Sequence, residues 1–177
     1  MYVNNREERF LYFLSNELKR TKSGSIIIVN VKRLKAINEI YGKETGDFIL
    51  EKIEQLIKSN FLRKNELIVR GISGEFFVFS DTKFTKKFEE RLQKIRNFIE
   101  DYKGFPVKVK VYIASVFLPE NASLIPEEIR KVISVVKQKA KERGRFYIAK
   151  TEESGKRNNT FCEFKVQRYI LYQQCYF

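Results

Sequence analysis

The stretch Leu67-Ile68-Val69-Arg70-Gly71-Ile72-Ser73-Gly74-Glu75-Phe76-Phe77-Val78-Phe79 holds two short apolar runs joined by a brief link. Both runs are rich in β-branched and aromatic side chains, and Gly71 and Gly74 lie between them. This pattern predicts a β-hairpin over 67–79 with its turn exposed at 72–74. Upstream, Ser25-Ile26-Ile27-Ile28-Val29-Asn30-Val31 is continuously apolar up to its polar penultimate residue. A run without alternation predicts a strand buried on both faces.

Helical periodicity surrounds these strands. Phe10, Phe13, Leu14 and Leu18 fall on one side of a helix over 6–20, before a break at 21–24. Ile49, Ile53, Leu56 and Ile57 give the apolar stripe of a helix over 47–59. Phe84, Phe88, Leu92, Ile95, Ile99 and Tyr102 do the same over 84–103. Residues 107–117 alternate at first and predict another strand. Pro126, Glu127 and Glu128 open a fourth helix, placing proline and acids in the first turn. Ile129, Val132, Ile133, Val136 and Ala140 face inward along it, and Gly144 suits its end. A last short strand covers 146–149. The order α-β-α-β-β-α-β-α-β predicts an α+β fold, a central, mainly antiparallel β-sheet flanked by helices.

Residues 1–150 thus make one predicted domain. Residues 152–160 are polar and linker-like, and 161–177 are rich in aromatics without a clear period. This 151–177 tail suits an added strand, a docking segment or the opening of a further domain equally well.

Apolar residues make up 43% of the 177, enough for one buried core. The formal net charge is +13, yet acids are interleaved with the bases along most predicted helices. Solvated helix faces account for that pattern better than a nucleic-acid groove does. Abundant Lys, Arg and Glu with a single Met match a thermophile's composition. No apolar run approaches the ~20 residues of a membrane span, and the N-terminus lacks a secretory pattern. Cys162 and Cys175 both lie in the tail, at a spacing that matches no metal site, and the chain has no histidine. Two reduced thiols in a cytoplasmic protein are expected.

Four further segments fix a resemblance. After the first strand, which ends Asn30-Val31-Lys32, comes Leu34-Lys35-Ala36-Ile37-Asn38-Glu39-Ile40-Tyr41-Gly42-Lys43-Glu44-Thr45-Gly46-Asp47. The hairpin turn is Ile72-Ser73-Gly74-Glu75-Phe76, and Ala140-Lys141-Glu142-Arg143-Gly144-Arg145 follows late in the chain. In order and spacing, residues 5–149 resemble the GGDEF domain of bacterial diguanylate cyclases. Each motif alone is short; their succession on strand, helix and hairpin carries the likeness. It implies the nucleotidyl-cyclase, palm-like fold. Of the family's N-terminal motif only Asn5-Arg6 remains, so the chain begins inside it.

The resemblance also implies a chemistry. In the family, two GTP molecules on two facing domains are joined, the 3′-hydroxyl of one attacking the α-phosphate of the other. Divalent metal neutralises the phosphate charge, held by carboxylate oxygens. The positions of those carboxylates are Asn30 and Gly74 here, so no metal site is expected. Glu75 survives where the family's residue assists the hydroxyl; a vestigial role and a solvated hairpin residue are both open. Ile72 and Ser73 replace the two glycines whose bare backbone lets the nucleotide approach. No catalytic residue set, and no cyclase activity, is expected.

The nucleotide contacts are better kept. By resemblance Asn38 and Asp47 read guanine, an amide and a carboxylate suited to its polar edge. Lys35, Lys141 and Arg145 match the triphosphate contacts. The family's product-inhibition motif, Arg-x-x-Asp, corresponds to Arg63-Lys64-Asn65-Glu66, with a solvated loop as the plainer reading.

The expected function is therefore a catalytically inactive, regulatory or interaction module in cyclic-di-GMP signalling. No cofactor is required, and a weakly held GTP with Mg²⁺ is the ligand the resemblance leaves room for. A homodimer, an EAL-type phosphodiesterase or another signalling domain is the expected partner class. The alternatives are a nucleic-acid-binding protein on a palm-like fold, and a cyclic-di-GMP receptor using Arg63 and Glu66.

Overall fold

The computed structural model describes residues 5–71, 73–81, 86–118, 126–144 and 146–149. Ten elements follow in order: α1 (Asn5–Thr21), β1 (Gly24–Val31), α2 (Leu34–Tyr41), α3 (Lys43–Asn60), β2 (Leu67–Arg70), β3 (Glu75–Ser80), α4 (Lys86–Glu100), β4 (Val111–Leu118), α5 (Pro126–Arg143) and β5 (Phe146–Ala149). The strands form one sheet in the order β2-β3-β1-β4-β5. All neighbours are antiparallel except β4 and β5. The α+β architecture is as the sequence predicts.

β1 lies at the centre, paired to β3 from Ser25 to Asn30 and to β4 along its whole length. Its side chains alternate between two cores. Ile26 and Ile28 join Phe77 and Phe79 of β3 under α1 and α5, where Leu14 and Val136 pack. Ile27, Val29 and Val31 join Phe76 and Val78 on the other face, under α3 and α4, where Ile53 and Leu92 pack. This double cover is why β1 shows no polar alternation. Phe76, Phe77 and Phe79 are all buried in these cores. They are therefore core residues and not an exposed platform for stacking bases.

The helix between β1 and the hairpin differs from expectation. Two helices, α2 and α3, stand where one was predicted over 47–59. Gly42, at φ +89°, breaks between them. α2 is only eight residues long and buries none of them fully, although Leu34 and Ile37 pack against the core. α3 begins at Lys43 and carries Gly46 inside its first turns, a residue that lowers local helix propensity. The fourth strand starts at Val111 rather than 107, and α4 ends at Glu100, short of Tyr102. α5 opens at Pro126 and is followed by Gly144 at φ +74°, as predicted. Residues 82–85 and the 151–177 tail lie outside the described residues.

The core makes a stability test. Phe79 is fully buried between Phe13 and β1. Phe79→Ala should cost about 3–5 kcal/mol, read as a lower urea midpoint at unchanged m-value. A loss below ~1 kcal/mol would contradict this packing.

Candidate functional site

The polar end of β1 organises the site. Asn30 is half-buried and sits opposite Glu75 of β3 on one side and Tyr112 of β4 on the other. The hairpin closes with the Gly71 amide donating to the Glu75 carbonyl at 2.7 Å. The Val31 amide then donates to the Gly74 carbonyl at 3.0 Å, tying the turn to β1. Gly74 is buried at φ +79°, and a Cβ built there would lie 2.5 Å from Leu34 Cδ2. Of the predicted exposed turn, Ser73 is exposed, Gly74 is not, and Ile72 lies outside the described residues.

Glu75 is not the solvated hairpin residue that the plainer reading allowed. Its side chain is only 9% exposed, and Lys137 of α5 donates to its Oε1 at 2.8 Å. Glu75 Oε2 is buried without a partner. A strand end that points a carboxylate under a helix needs a cation from that helix, because an unpaired buried charge is very costly. Lys32, at the other acidic position of the family's first strand, donates to the Gly144 carbonyl and lies 4.6 Å over the Tyr112 ring. It thus caps the C-terminal end of α5, where a cation is favoured.

These residues do not fit a divalent ion. Asn30 offers a neutral amide, Gly74 has no side chain and Leu34 fills its space, and Glu75 is already neutralised by Lys137. Among the described residues no group of three His, Cys, Asp or Glu side chains stands together as metal ligands.

The base-reading candidates come together on α2 and α3. Asn38 lies against Gly46: a Cβ there would meet Asn38 Oδ1 at 1.8 Å, so only glycine admits this packing. That Oδ1 is buried with no partner. Asp47 follows Gly46 directly, is 58% exposed, and lies 3.7 Å from Arg70 at the end of β2. Lys35 is one turn before Asn38, almost fully exposed, with Glu39 at 3.8 Å. Lys141 is exposed on α5, one turn beyond Lys137, and Arg145 lies outside the described residues. Lys137, Arg70 and Lys32 were missed in the sequence reading. Lys137 had a legible signal, since the i, i+4 spacing puts it on the face of Lys141. An open groove of about 440 Å³, lined by Glu44, Thr45, Phe48, Gly104, Phe105 and Pro106, includes none of these candidates.

Within the Arg-x-x-Glu segment residues 63–65 are exposed, as a solvated loop has them, and Glu66 alone is turned inward. The Glu66 side chain is 1% exposed. Arg91 of α4 grips both its oxygens, at 2.7 and 2.5 Å, and also donates to the Phe61 carbonyl at 2.5 Å. The Arg63 amide adds a bond to Glu66 Oε2 at 2.9 Å, while residue 63 itself is exposed. Burial pushes the Glu66 carboxyl up, but the bonds from Arg91 and the Arg63 amide outweigh it and hold it below the usual range. The carboxylate braces the loop against α4.

A sheet with this order, with a glycine turn locked to its central strand, has the architecture of a GGDEF-type domain. The chain belongs to the family described as "Diguanylate cyclase, GGDEF domain", whose model matches residues 3–146. It is 28% identical over 126 residues to the probable diguanylate cyclase DgcT of Escherichia coli, covering 68% of this chain and 27% of that protein. It is 26% identical over 140 residues to diguanylate cyclase A of Treponema denticola, covering 75% of this chain and 38% of that protein. The chain thus spans well under half the length of these relatives. Among solved structures it superposes on the active GGEEF domain of a Vibrio cholerae diguanylate cyclase with a TM-score of 0.68 at 18% identity, covering 84% of this chain and 97% of that one. Among the described residues no helix is long and apolar enough to cross a membrane.

The Glu66 brace generates a prediction. Arg91→Ala strands a buried carboxylate and should cost about 3–5 kcal/mol in urea unfolding at neutral pH. Because the folded-state value of Glu66 is depressed, its contribution is fully present above the ordinary glutamate range and fades as pH falls through the lowered value. Arg91→Ala should therefore also flatten the acid limb of the stability profile. An unchanged acid limb would show that Glu66 is not the group responsible.

Proposed function

We propose that this domain makes no cyclic-di-GMP and serves as a regulatory or interaction module in cyclic-di-GMP signalling, with a residual guanine-nucleotide site. The observation that carries this reading is the fate of two motif positions. Leu34 fills the space that a side chain at 74 would need, and Glu75 is held by Lys137. Phosphoryl transfer between two nucleotides needs concentrated positive charge on the reacting phosphate and a group to take the hydroxyl proton. Neither is offered by a neutral Asn30, a bare Gly74 and a paired Glu75.

Binding has better support than turnover. Asn38 carries an amide oxygen that the protein leaves unsatisfied, beside the carboxylate of Asp47. Guanine presents an N1–H and a 2-amino group along one edge, and donors of that kind answer an orphan acceptor and a carboxylate. Adenine lacks both. Asp47 is exposed beside Arg70, and the buried Asn38 oxygen joins it in reading the base once the amide turns out from Gly46. Lys35 and Lys141 supply exposed cations for phosphate. In this role the module's partner is a signalling domain, of the EAL phosphodiesterase type or another, or a second copy of the chain.

Two measurements test the reading. Protein incubated with GTP and Mg²⁺ or Mn²⁺ should form no cyclic-di-GMP above background, and steady turnover would overturn the proposal. Asn30→Asp with Gly74→Asp should not restore synthesis, because an aspartate at 74 must hold φ +79° with its Cβ 2.5 Å from Leu34. In thermal-shift titrations GTP should bind about tenfold more tightly than ATP, corresponding to ~1.4 kcal/mol for the matched hydrogen bonding. Asn38→Ala should abolish that preference. Equal affinities in the unmodified protein would remove the guanine site.

A further inference from the structure

The Lys137–Glu75 pair occupies the place where the family's chemistry would put a metal ion, and its lysine is the more exposed partner. The Lys137 side chain is 30% exposed and the Glu75 side chain 9%. An approaching anion therefore meets the cation before the carboxylate. A divalent ion with two carboxylates sums to zero charge, and so does one lysine with one glutamate. The exchange leaves the site no more negative than a loaded metal site while removing the metal's ligands. Magnesium demands near-octahedral oxygen coordination, and here it would have to displace an ammonium from the one remaining carboxylate. The rest of the helix agrees. Lys141 lies one turn beyond Lys137, and Lys32 caps the Gly144 carbonyl, offsetting the negative end of α5 that would otherwise repel phosphate.

We infer that the Lys137 ammonium takes over the charge-neutralising role of the divalent cation, so that phosphate groups of a nucleotide bind at this end of the sheet without metal. This rests on the nucleotide reading above and adds to it that the bound phosphate needs no metal, so that the free nucleotide is as good a ligand as its magnesium complex. Lys137 contributes a point charge with three N–H donors, one of which Glu75 takes. Glu75 in turn fixes the ammonium at the hairpin.

The test compares GTP binding by the full chain in EDTA and in excess Mg²⁺, by isothermal titration, with inorganic tripolyphosphate as a base-free probe. GTP should bind within about twofold of the same affinity in both media, and tripolyphosphate should bind in EDTA. Mn²⁺ added alone should remain free by electron paramagnetic resonance. Lys137→Met combined with Glu75→Gln removes the pair without stranding a charge, and should weaken GTP and tripolyphosphate in EDTA at least tenfold. Binding that requires Mg²⁺, or Mn²⁺ captured by the protein alone, would overturn the metal-free site and leave the nucleotide reading standing. Unchanged affinity in the folded double variant would do the same. No GTP binding in either medium would overturn both. The comparison on unmodified protein decides the matter even where the double variant fails to fold.

Discussion

The structure depends on one constraint: β1 has no free edge and no free face. Its backbone is paired on both sides, to β3 and β4, and its side chains feed two separate cores. Every neighbour is then determined in kind. Two faces of apolar side chains require helices on both sides, supplied by α1 and α5 on one and α3 and α4 on the other. The strand ends at Val31, one residue past the polar Asn30. From that end the chain must leave the core, and the groups that gather there become the candidate site.

The same constraint explains how the site has changed without harm to the fold. The Gly74 carbonyl accepts from the Val31 amide whichever side chains surround the turn. The hairpin is therefore held by backbone bonds. Its side chains are free to vary as long as buried charge stays balanced. Loss of a carboxylate at 74 is matched by Leu34 packing into the space. Retention of one at 75 is matched by Lys137. The hairpin end thus holds a neutral ion pair suited to a protein interior.

The extent to which this was legible in the sequence follows from the same physics. β1, the hairpin and α5 were readable because burial on both faces, a glycine link and a proline-to-glycine frame leave strong local signatures. α2 was not, because eight residues are too few for the spacing of Leu34, Ile37 and Tyr41 to establish a period. The start of α3 was hidden by Gly46, whose helix-weakening lack of a side chain exists to admit the Asn38 amide. At the site, the motif positions could be placed one by one, since spacing along the chain fixes them. Their partners could not. Lys137 is 62 residues from Glu75 and Arg91 is 25 from Glu66, and only the packing of α5 and α4 on the sheet brings them together.

Those two pairs also separate meaningful charge from incidental charge in a chain with a net +13. Arg20–Glu17, Lys58–Glu54 and Lys139–Glu142 are local pairs on helix faces, three or four residues apart. Such pairs contribute a few tenths of a kcal/mol each and mainly keep the surface solvated. The pairs at Glu66 and Glu75 are long-range and shielded from water. They come from opposite faces of the sheet, Arg91 from α4 and Lys137 from α5, and each answers a carboxylate at a position that, by family resemblance, would face a ligand. When a protein gives up a charged ligand, the residue that bound it must be replaced, exposed or paired from within. Here both acids were kept and paired. Glu66 is gripped on both oxygens and has nothing left to offer. Glu75 keeps one bare oxygen, and its lysine stands nearer the surface than it does. Of the two pairs, only the one at the hairpin keeps a partly exposed cation within reach of an incoming anion.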